Sequence, residues 1–249
     1  MRIFWKPMPY FIMRDREFLK NMKKNKVSQG ISALKIFIFI CLKSEVDENG
    51  ILSAGITYDE FSQYCSLSRR LISEGLRYLE NSGVIRVKGE KKKRYILINC
   101  KRTDSSLISS DFTAGNGHWC KLPYRGLVDE NNRITAFESM KNRSIHELNA
   151  LRIFLYLLMI RSKEHLYSSV TIRTIYRRLS ISYQEVMIAI GYMQSLGLIV
   201  RVDAGTNTVG NYDEKFALAF LVCGWESLDW KPKYLSDAEW KKDVFGRFN

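Results

Sequence analysis

The chain has 249 residues, 46% of them hydrophobic, which suits one large domain or two of ordinary size around a buried core. Its formal net charge of +13 favours a polyanionic partner such as nucleic acid, and residues 1–110 carry +10 of that charge. The longest apolar runs, residues 36–42 and 153–160, are far shorter than the ~20 residues that cross a bilayer, so we expect no membrane partner.

The cysteines indicate a reducing compartment. They are five in number and include no C-x-x-C pair: Cys41, Cys65, Cys100, Cys120 and Cys223. Zinc sites and disulfide frameworks normally show closer, paired spacing. The first 26 residues are charged and lack the apolar stretch of a secretory signal. We therefore expect reduced thiols, no metal or other cofactor, and a cytoplasmic protein.

Two halves of the sequence resemble each other at a shift of 114 residues. Trp5 matches Trp119, Ser66-Leu67-Ser68 matches Ser180-Ile181-Ser182, and Gly83-Val84-Ile85 matches Gly197-Leu198-Ile199. Between these anchors, Leu34-Lys35-Ile36-Phe37 matches Leu151-Arg152-Ile153-Phe154 at a shift of 117. A small insertion before the apolar helix of the second half is thus compensated by a shorter loop after it, and the shift returns to 114 residues. Chance seldom restores the same shift on both sides of a gap. Such self-similarity predicts that one fold occurs twice.

Each half has the same predicted order: an aromatic and proline-containing opening segment, an apolar helix, two further helices and a β-hairpin. In the first half these are residues 4–10, 32–44, 58–64, 69–82 and 85–98; in the second they are residues 119–124, 145–163, 172–179, 183–196 and 198–220. A polar linker, residues 101–117, joins the halves. An aromatic tail follows, in which Ser236 and Glu239 have the spacing of a capping box that opens a last short helix.

Residues 57–98 carry the clearest local signals. Thr57 and Ser68 are residue types that cap helices, and they precede the second and third predicted helices of the first half. In the third helix Ile72, Leu76 and Leu79 share one face, which leaves polar side chains on the other. Residues 84–87 and 95–98 are apolar and flank a cationic turn, which predicts a hairpin with a basic tip.

This layout resembles the winged helix-turn-helix superfamily of DNA-binding proteins, in two tandem copies. The resemblance implies a fold that is mainly α with small β-hairpin wings (α+β). It divides the chain into a basic DNA-binding domain at residues 1–100, a linker at 101–117, a second winged-helix domain at 118–224 and a tail at 225–249.

A winged helix lays its third helix in the major groove and its hairpin along the backbone. Arginine can donate two hydrogen bonds to guanine, so we expect Arg69, Arg70 and Arg77 to reach base edges. Ser68 and Ser73 are short donors suited to phosphate or base. The hairpin is expected to neutralise phosphates through Lys88, Lys91, Lys92, Lys93 and Arg94.

The second half departs from this pattern, because Tyr183, Gln184 and Met187 stand on its third helix instead of arginines. Gln184 can pair with adenine, and Tyr183 or Met187 can meet a thymine methyl group. Its phosphate contacts would come from the preceding helix, through Arg173, Arg177 and Arg178. Two roles stay open for this half: a weaker second DNA half-site, or a dimerisation or partner domain.

Enzyme motifs are missing from the sequence. The three histidines form no H-x-x-H, H-E-x-x-H or H-x-x-R pattern, and there is no G-x-x-x-x-G-K-[ST] motif. We therefore expect a protein that binds double-stranded DNA at a specific sequence, has no catalytic residues, and associates with the nucleoid when bound. A homodimer through the second domain or the tail is compatible with this expectation.

Three functions remain open at this stage. The layout is similar to the replication initiators of plasmids and related mobile elements, and equally to their transcriptional regulators. A regulator is expected to bind a short palindrome or direct repeat. An initiator is expected to bind several direct repeats at an origin. The third alternative is an adaptor that uses winged helices to bind proteins and has weak DNA affinity.

Overall fold

The structure is a computed structural model that describes residues 3–10, 18–22, 26–90, 92–102, 107–113, 118–161, 165–204 and 217–228, together with Glu239 and Lys242. The expected capping box of the tail, the expected phosphate contact Lys91 and most of the second hairpin's turn lie outside the described residues. Within the described residues, no helix combines the length and the apolar character needed to cross a bilayer.

The described residues of the first half form three helices and six strands. In chain order they are β1 (Trp5–Pro9), α1 (Val27–Lys43), β2 (Glu45–Val46), β3 (Leu52–Gly55), α2 (Tyr58–Cys65), α3 (Arg69–Asn81), β4 (Ile85–Lys88), β5 (Arg94–Arg102) and β6 (Leu107–Asp111). The two expected caps form: Thr57 and Glu60 make a reciprocal capping box, and the Ser68 hydroxyl accepts a hydrogen bond from the Leu71 N–H. The turn between α2 and α3 passes through Ser66, whose φ of 52° is left-handed.

The second half repeats the order of opening strand, central helix, short strand, two helices and hairpin, with an additional short helix before the central one. Its elements are β7 (Trp119–Pro123), α4 (Thr135–Glu138), α5 (Ile145–Ile160), β8 (Ser168–Thr171), α6 (Ile172–Leu179), α7 (Tyr183–Ser195), β9 (Ile199–Ala204) and β10 (Ala217–Val222), followed by a 3₁₀ turn at Trp225–Ser227. Thr171 and Ser182 cap α6 and α7 as Thr57 and Ser68 cap α2 and α3. Ser180 has a φ of 53°, which equals that of its sequence match Ser66 within a degree.

The fold class is α+β, with small antiparallel sheets. The strand order is β2-β3-β5-β4 in the first half, with β6 paired to the far end of β5, and β8-β10-β9 in the second. The expectation of a mainly α protein understated the strands, because β2, β3, β6 and β8 are too short to show a period of their own. Residues 101–117, expected to be a polar linker, supply the end of β5 and all of β6.

The opening segments of the two halves pair with each other. β1 and β7 run antiparallel with Trp5 opposite Pro123, Pro7 opposite Lys121 and Pro9 opposite Trp119. Trp5 and Pro9 match Trp119 and Pro123 in the repeat, so the pairing stays the same when the two strands are exchanged. The ribbon therefore has an approximate two-fold axis at its centre. The rings of Trp5 and Trp119 stack at 5.5 Å, because the ribbon brings them together.

Two apolar helices form the centre of the molecule. Residues 30–42 of α1 and residues 147–158 of α5 are all buried, as expected for helices without a polar side. The two helices pack against each other where α1 has a glycine: a Cβ atom added at Gly30 would lie 2.9 Å from Leu148 Cδ1. The first turns of α1 and α5 thus approach closely across the boundary between the halves.

A buried cation stands at the same position of each central helix. Lys35 Nζ donates hydrogen bonds to the backbone carbonyl oxygens of Cys65, at 3.2 Å, and Phe137, at 2.9 Å. Arg152 donates to the carbonyl oxygens of Leu179 and of Leu19, the latter at 2.7 Å. Burial lowers the pKa of Lys35 to about 8 and that of Arg152 to about 10. Neither buried charge has an ion pair among the described residues, so carbonyl oxygens supply their solvation.

Candidate nucleic-acid interface

α3 has one buried side and one exposed polar side. Ile72, Gly75, Leu76 and Leu79 face the core. Its expected DNA contacts all lie on the exposed side, with the capping residue just before the helix: Ser68, Arg69, Arg70, Ser73 and Arg77. The amphipathic pattern thus holds the polar residues on a rigid scaffold and directs them to solvent.

Two of these arginines form ion pairs at the surface. Arg69 Nη2 lies 2.6 Å from Asp59 Oδ1, and Arg70 Nε lies 3.1 Å from Glu74 Oε1. The arginine side chains are 71% and 85% exposed, so solvent screens both pairs and each contributes little to stability. Either guanidinium can therefore exchange its carboxylate for a phosphate or a base at small cost.

The first hairpin places its cations beside α2. Lys88, Lys92, Lys93 and Arg94 are exposed, and the chain turns at Gly89 with a φ of 84°. Lys93 Nζ lies 5.8 Å from the centre of the Tyr58 ring, which holds one side of the hairpin over the start of α2. A cavity of about 520 Å³ separates the two elements.

One part of this surface is a groove that the sequence did not predict. The groove runs between the start of α1 and the outer side of α3, and Lys26 and Gln29 line it together with Arg77. Lys26 directly precedes α1, which begins at Val27, five residues before the start predicted from the sequence. No capping residue marks this start, so the sequence offered only the basic character of residues 14–26 as a signal.

The second half presents a different surface. On α7 the exposed residues Gln184, Ile188 and Gly191 carry no charge. Tyr183 and Met187 are half-buried and pack on the core, which limits how far either can reach into a groove. The cations are on α6 instead, where Arg173, Arg177 and Arg178 are exposed around Tyr176.

The exposed cations therefore lie on different helices in the two halves. In the first half α3 is basic, and α2 carries Asp59 and Glu60 in its first turn. In the second half α6 is basic, and α7 carries Glu185 in its first turn. Both halves offer cations at the surface, but they offer them from different helices.

The described residues contain no cluster of three or more His, Cys, Asp or Glu side chains that could hold a metal ion. Burial raises the pKa of the Cys120 and Cys223 thiols to about 12, and those of Cys41 and Cys65 are also raised, so these four are poor nucleophiles. No family model matches this sequence, and neither does any curated protein compared with it.

Proposed function

We propose that this chain is a sequence-specific double-stranded DNA-binding protein made of two tandem winged-helix domains. The observation that carries the proposal is the exposed side of α3, which presents Arg69, Arg70, Ser73 and Arg77, together with the hairpin that follows α3 and has four described exposed cations. The net charge of +10 on residues 1–110 supports the same conclusion, because a polyanion is attracted mainly to this half.

In this proposal α3 enters the major groove and the hairpin follows the backbone beside it. Arg69 stands at the N-terminal end of α3, the end from which recognition helices contact base edges. When Arg69 leaves Asp59 it can donate two parallel hydrogen bonds to guanine. The lysines of the hairpin release counterions from the phosphates they neutralise, which gives most of the non-specific affinity.

The second half is proposed to contact the same duplex less strongly, through α6. Its α7 offers Gln184 for adenine but no cation, so Arg173, Arg177 and Arg178 would neutralise phosphates. The ribbon of β1 and β7 and the packing of α1 on α5 hold the halves together. A site that contacts both halves would therefore have a fixed spacing between its two parts.

Selection of bound sequences from random duplex DNA tests this proposal. We expect a motif with one strongly specified part, read by α3, and a weaker part at constant spacing. Recovery of no motif, together with affinity that is unchanged in Arg69→Ala, would overturn the proposal and favour the protein-binding adaptor. The arrangement of the motif in natural DNA then separates a regulator, with a single palindrome or repeat at a promoter, from an initiator, with several direct repeats beside an AT-rich segment.

A further inference from the structure

We propose that the groove between the start of α1 and the outer side of α3, hereafter the α1–α3 groove, holds phosphates of the DNA backbone. Lys26 and Arg77 are then backbone contacts, and Arg77 does not read a base. This inference rests on the proposed function and changes the role that the sequence suggested for Arg77.

The groove is continuous on the described surface. Two cavities, of about 620 and 500 Å³, share Lys26, Gln29 and Arg77 in their walls and so adjoin each other. The first extends along the C-terminal end of α3, to Asn81 and Ser82, and the second extends along its earlier turns, to Arg70 and Glu74. The groove therefore follows α3 for most of its length.

The charges in the groove favour an anion. Lys26, Arg70 and Arg77 supply three cations against the single carboxylate of Glu74. That carboxylate is already paired with Arg70 at 3.1 Å. Within the described residues, Lys26 and Arg77 have no acidic partner, and both are exposed. Two cations that line one groove without an acidic partner in the described part of the chain are suited to bind a phosphate between them.

The position of the groove favours backbone over bases. Arg77 lies two turns beyond Arg69 along α3, on the side that faces α1, whereas Arg69 leans towards Asp59 of α2. A helix whose first turn enters the major groove brings its later turns to the rim, where the sugar–phosphate strand runs. Arg77 and Lys26 are thus placed to meet phosphates that border the bases read by the start of α3.

The second half provides an internal comparison. The positions that match Arg70, Glu74 and Arg77 are Gln184, Ile188 and Gly191, none of which is charged. The corresponding side of α7 therefore has no cation to offer a phosphate strand. The position that matches Lys26, at the shift of 117 residues, is Arg143, so the two halves differ in charge on the α3 side of the groove and not on its α1 side.

The test measures affinity for the selected site and for unrelated duplex DNA over a range of salt concentrations. Arg77→Gln and Lys26→Gln should each lower both affinities by the same factor, about eightfold at 0.1 M salt. The reason is that each lost phosphate contact reduces the slope of log affinity against log salt by about 0.9. The ratio of specific to non-specific affinity should not change. Arg69→Gln is the matched control, and it should lower specific affinity and relax the preference at one base pair.

A slope that is unchanged in both groove variants, or a base preference that is altered in Arg77→Gln, would overturn the groove assignment. These results differ from failure of the proposed function, in which the wild-type protein itself selects no duplex sequence. Free phosphate compounds share the chemistry of the backbone, so calorimetric titration of the DNA-free protein with tripolyphosphate completes the test. Tight binding that Arg77→Gln abolishes, with the DNA affinity unchanged, would assign the groove to a free phosphate ligand and overturn the backbone role.

Discussion

Lys35 and Arg152 occupy matching positions in the two central helices, and each donates hydrogen bonds to both halves of the molecule. Lys35 donates to the carbonyl oxygen of Cys65, at the end of α2 in the first half, and to that of Phe137 in the second half. Arg152 donates to the carbonyl oxygen of Leu179, at the end of α6 in the second half, and to that of Leu19 in the first half. The two crossed contacts are reciprocal, because each central helix bonds to the other half, and they join the two halves that carry the candidate interface.

Lys35→Met should lower the free energy of unfolding by about 2 kcal/mol. Two buried carbonyl oxygens lose their donor, at about 1–3 kcal/mol each, and the variant recovers part of this because it no longer buries a charge. Urea unfolding measures the change, with Lys88→Met as the control because Lys88 is exposed and should have almost no effect. Equal stability of both variants would mean that the crossed contacts contribute nothing.

The stability difference between wild type and Lys35→Met should depend on pH. Burial lowers the pKa of Lys35 from 10.5 to about 8, so the unfolded chain keeps this proton over a range where the folded protein has lost it. Stability of the wild type relative to the variant should therefore rise between about pH 8 and 10.5, by up to ~1.4 kcal/mol per pH unit. The neutral amine can still donate both hydrogen bonds. Unfolding free energies measured from pH 7 to pH 10 test this, and a constant difference would contradict the lowered pKa.

Local chemistry explains which elements the sequence predicted well. α2, α3, α6 and α7 begin where Thr57, Ser68, Thr171 and Ser182 can cap them, and the sequence analysis placed all four starts correctly. A cap is decided by residues within one turn, so its signal is present in the sequence. α1 begins earlier than expected because Lys26 gives no such signal.

The contacts between the halves could not be predicted in the same way. The stacking of Trp5 on Trp119 and the bond from Lys35 to Phe137 join residues more than 100 positions apart. Periodicity within a window of a few turns contains no information on such pairs. The α1–α3 groove could not be predicted for the same reason, because the start of α1 and the side of α3 form it together.

Gly75→Ala should destabilise the protein although alanine favours helices. A Cβ atom at this position would lie 2.7 Å from Ser32 Oγ and 3.0 Å from the backbone nitrogen of Ala33, which cannot move without shifting α1. We expect a loss of about 1–3 kcal/mol from overpacking. Gly191→Ala is the control in the corresponding helix: nothing lies within 4 Å of its Cβ position, so it should gain about 0.5–1 kcal/mol. Thermal unfolding of both variants tests the pair, and a gain in Gly75→Ala would show that α1 and α3 can separate.

Replacement of Lys92 and Lys93 by Gln should flatten the salt dependence of DNA binding. If each lysine neutralises one phosphate, the slope of log affinity against log salt falls by about 1.8 in the double variant. Specificity should persist, because the hairpin is assigned to the backbone and α3 to the bases. A slope equal to that of the wild type would leave these lysines as solvated charges. Substitution of Glu90 by Gln, at the same tip, should change the slope little and serves as the control.

Gly191→Arg tests whether the second half lies on the duplex. Gly191 matches Arg77 in the first half, it is exposed, and the space around its Cβ position is open, so the arginine should be accommodated. If α7 approaches DNA as α3 is proposed to do, the new cation should reach a phosphate and steepen the salt slope by about 0.9. If α6 alone contacts the backbone, affinity and slope should stay close to those of the wild type. Gly191→Gln has similar length without the charge, so the difference between the two variants isolates the electrostatic contact. An increase specific to Gly191→Arg would place α7 beside the duplex, as the use of Gln184 requires, and no increase would leave the contacts of the second half to α6.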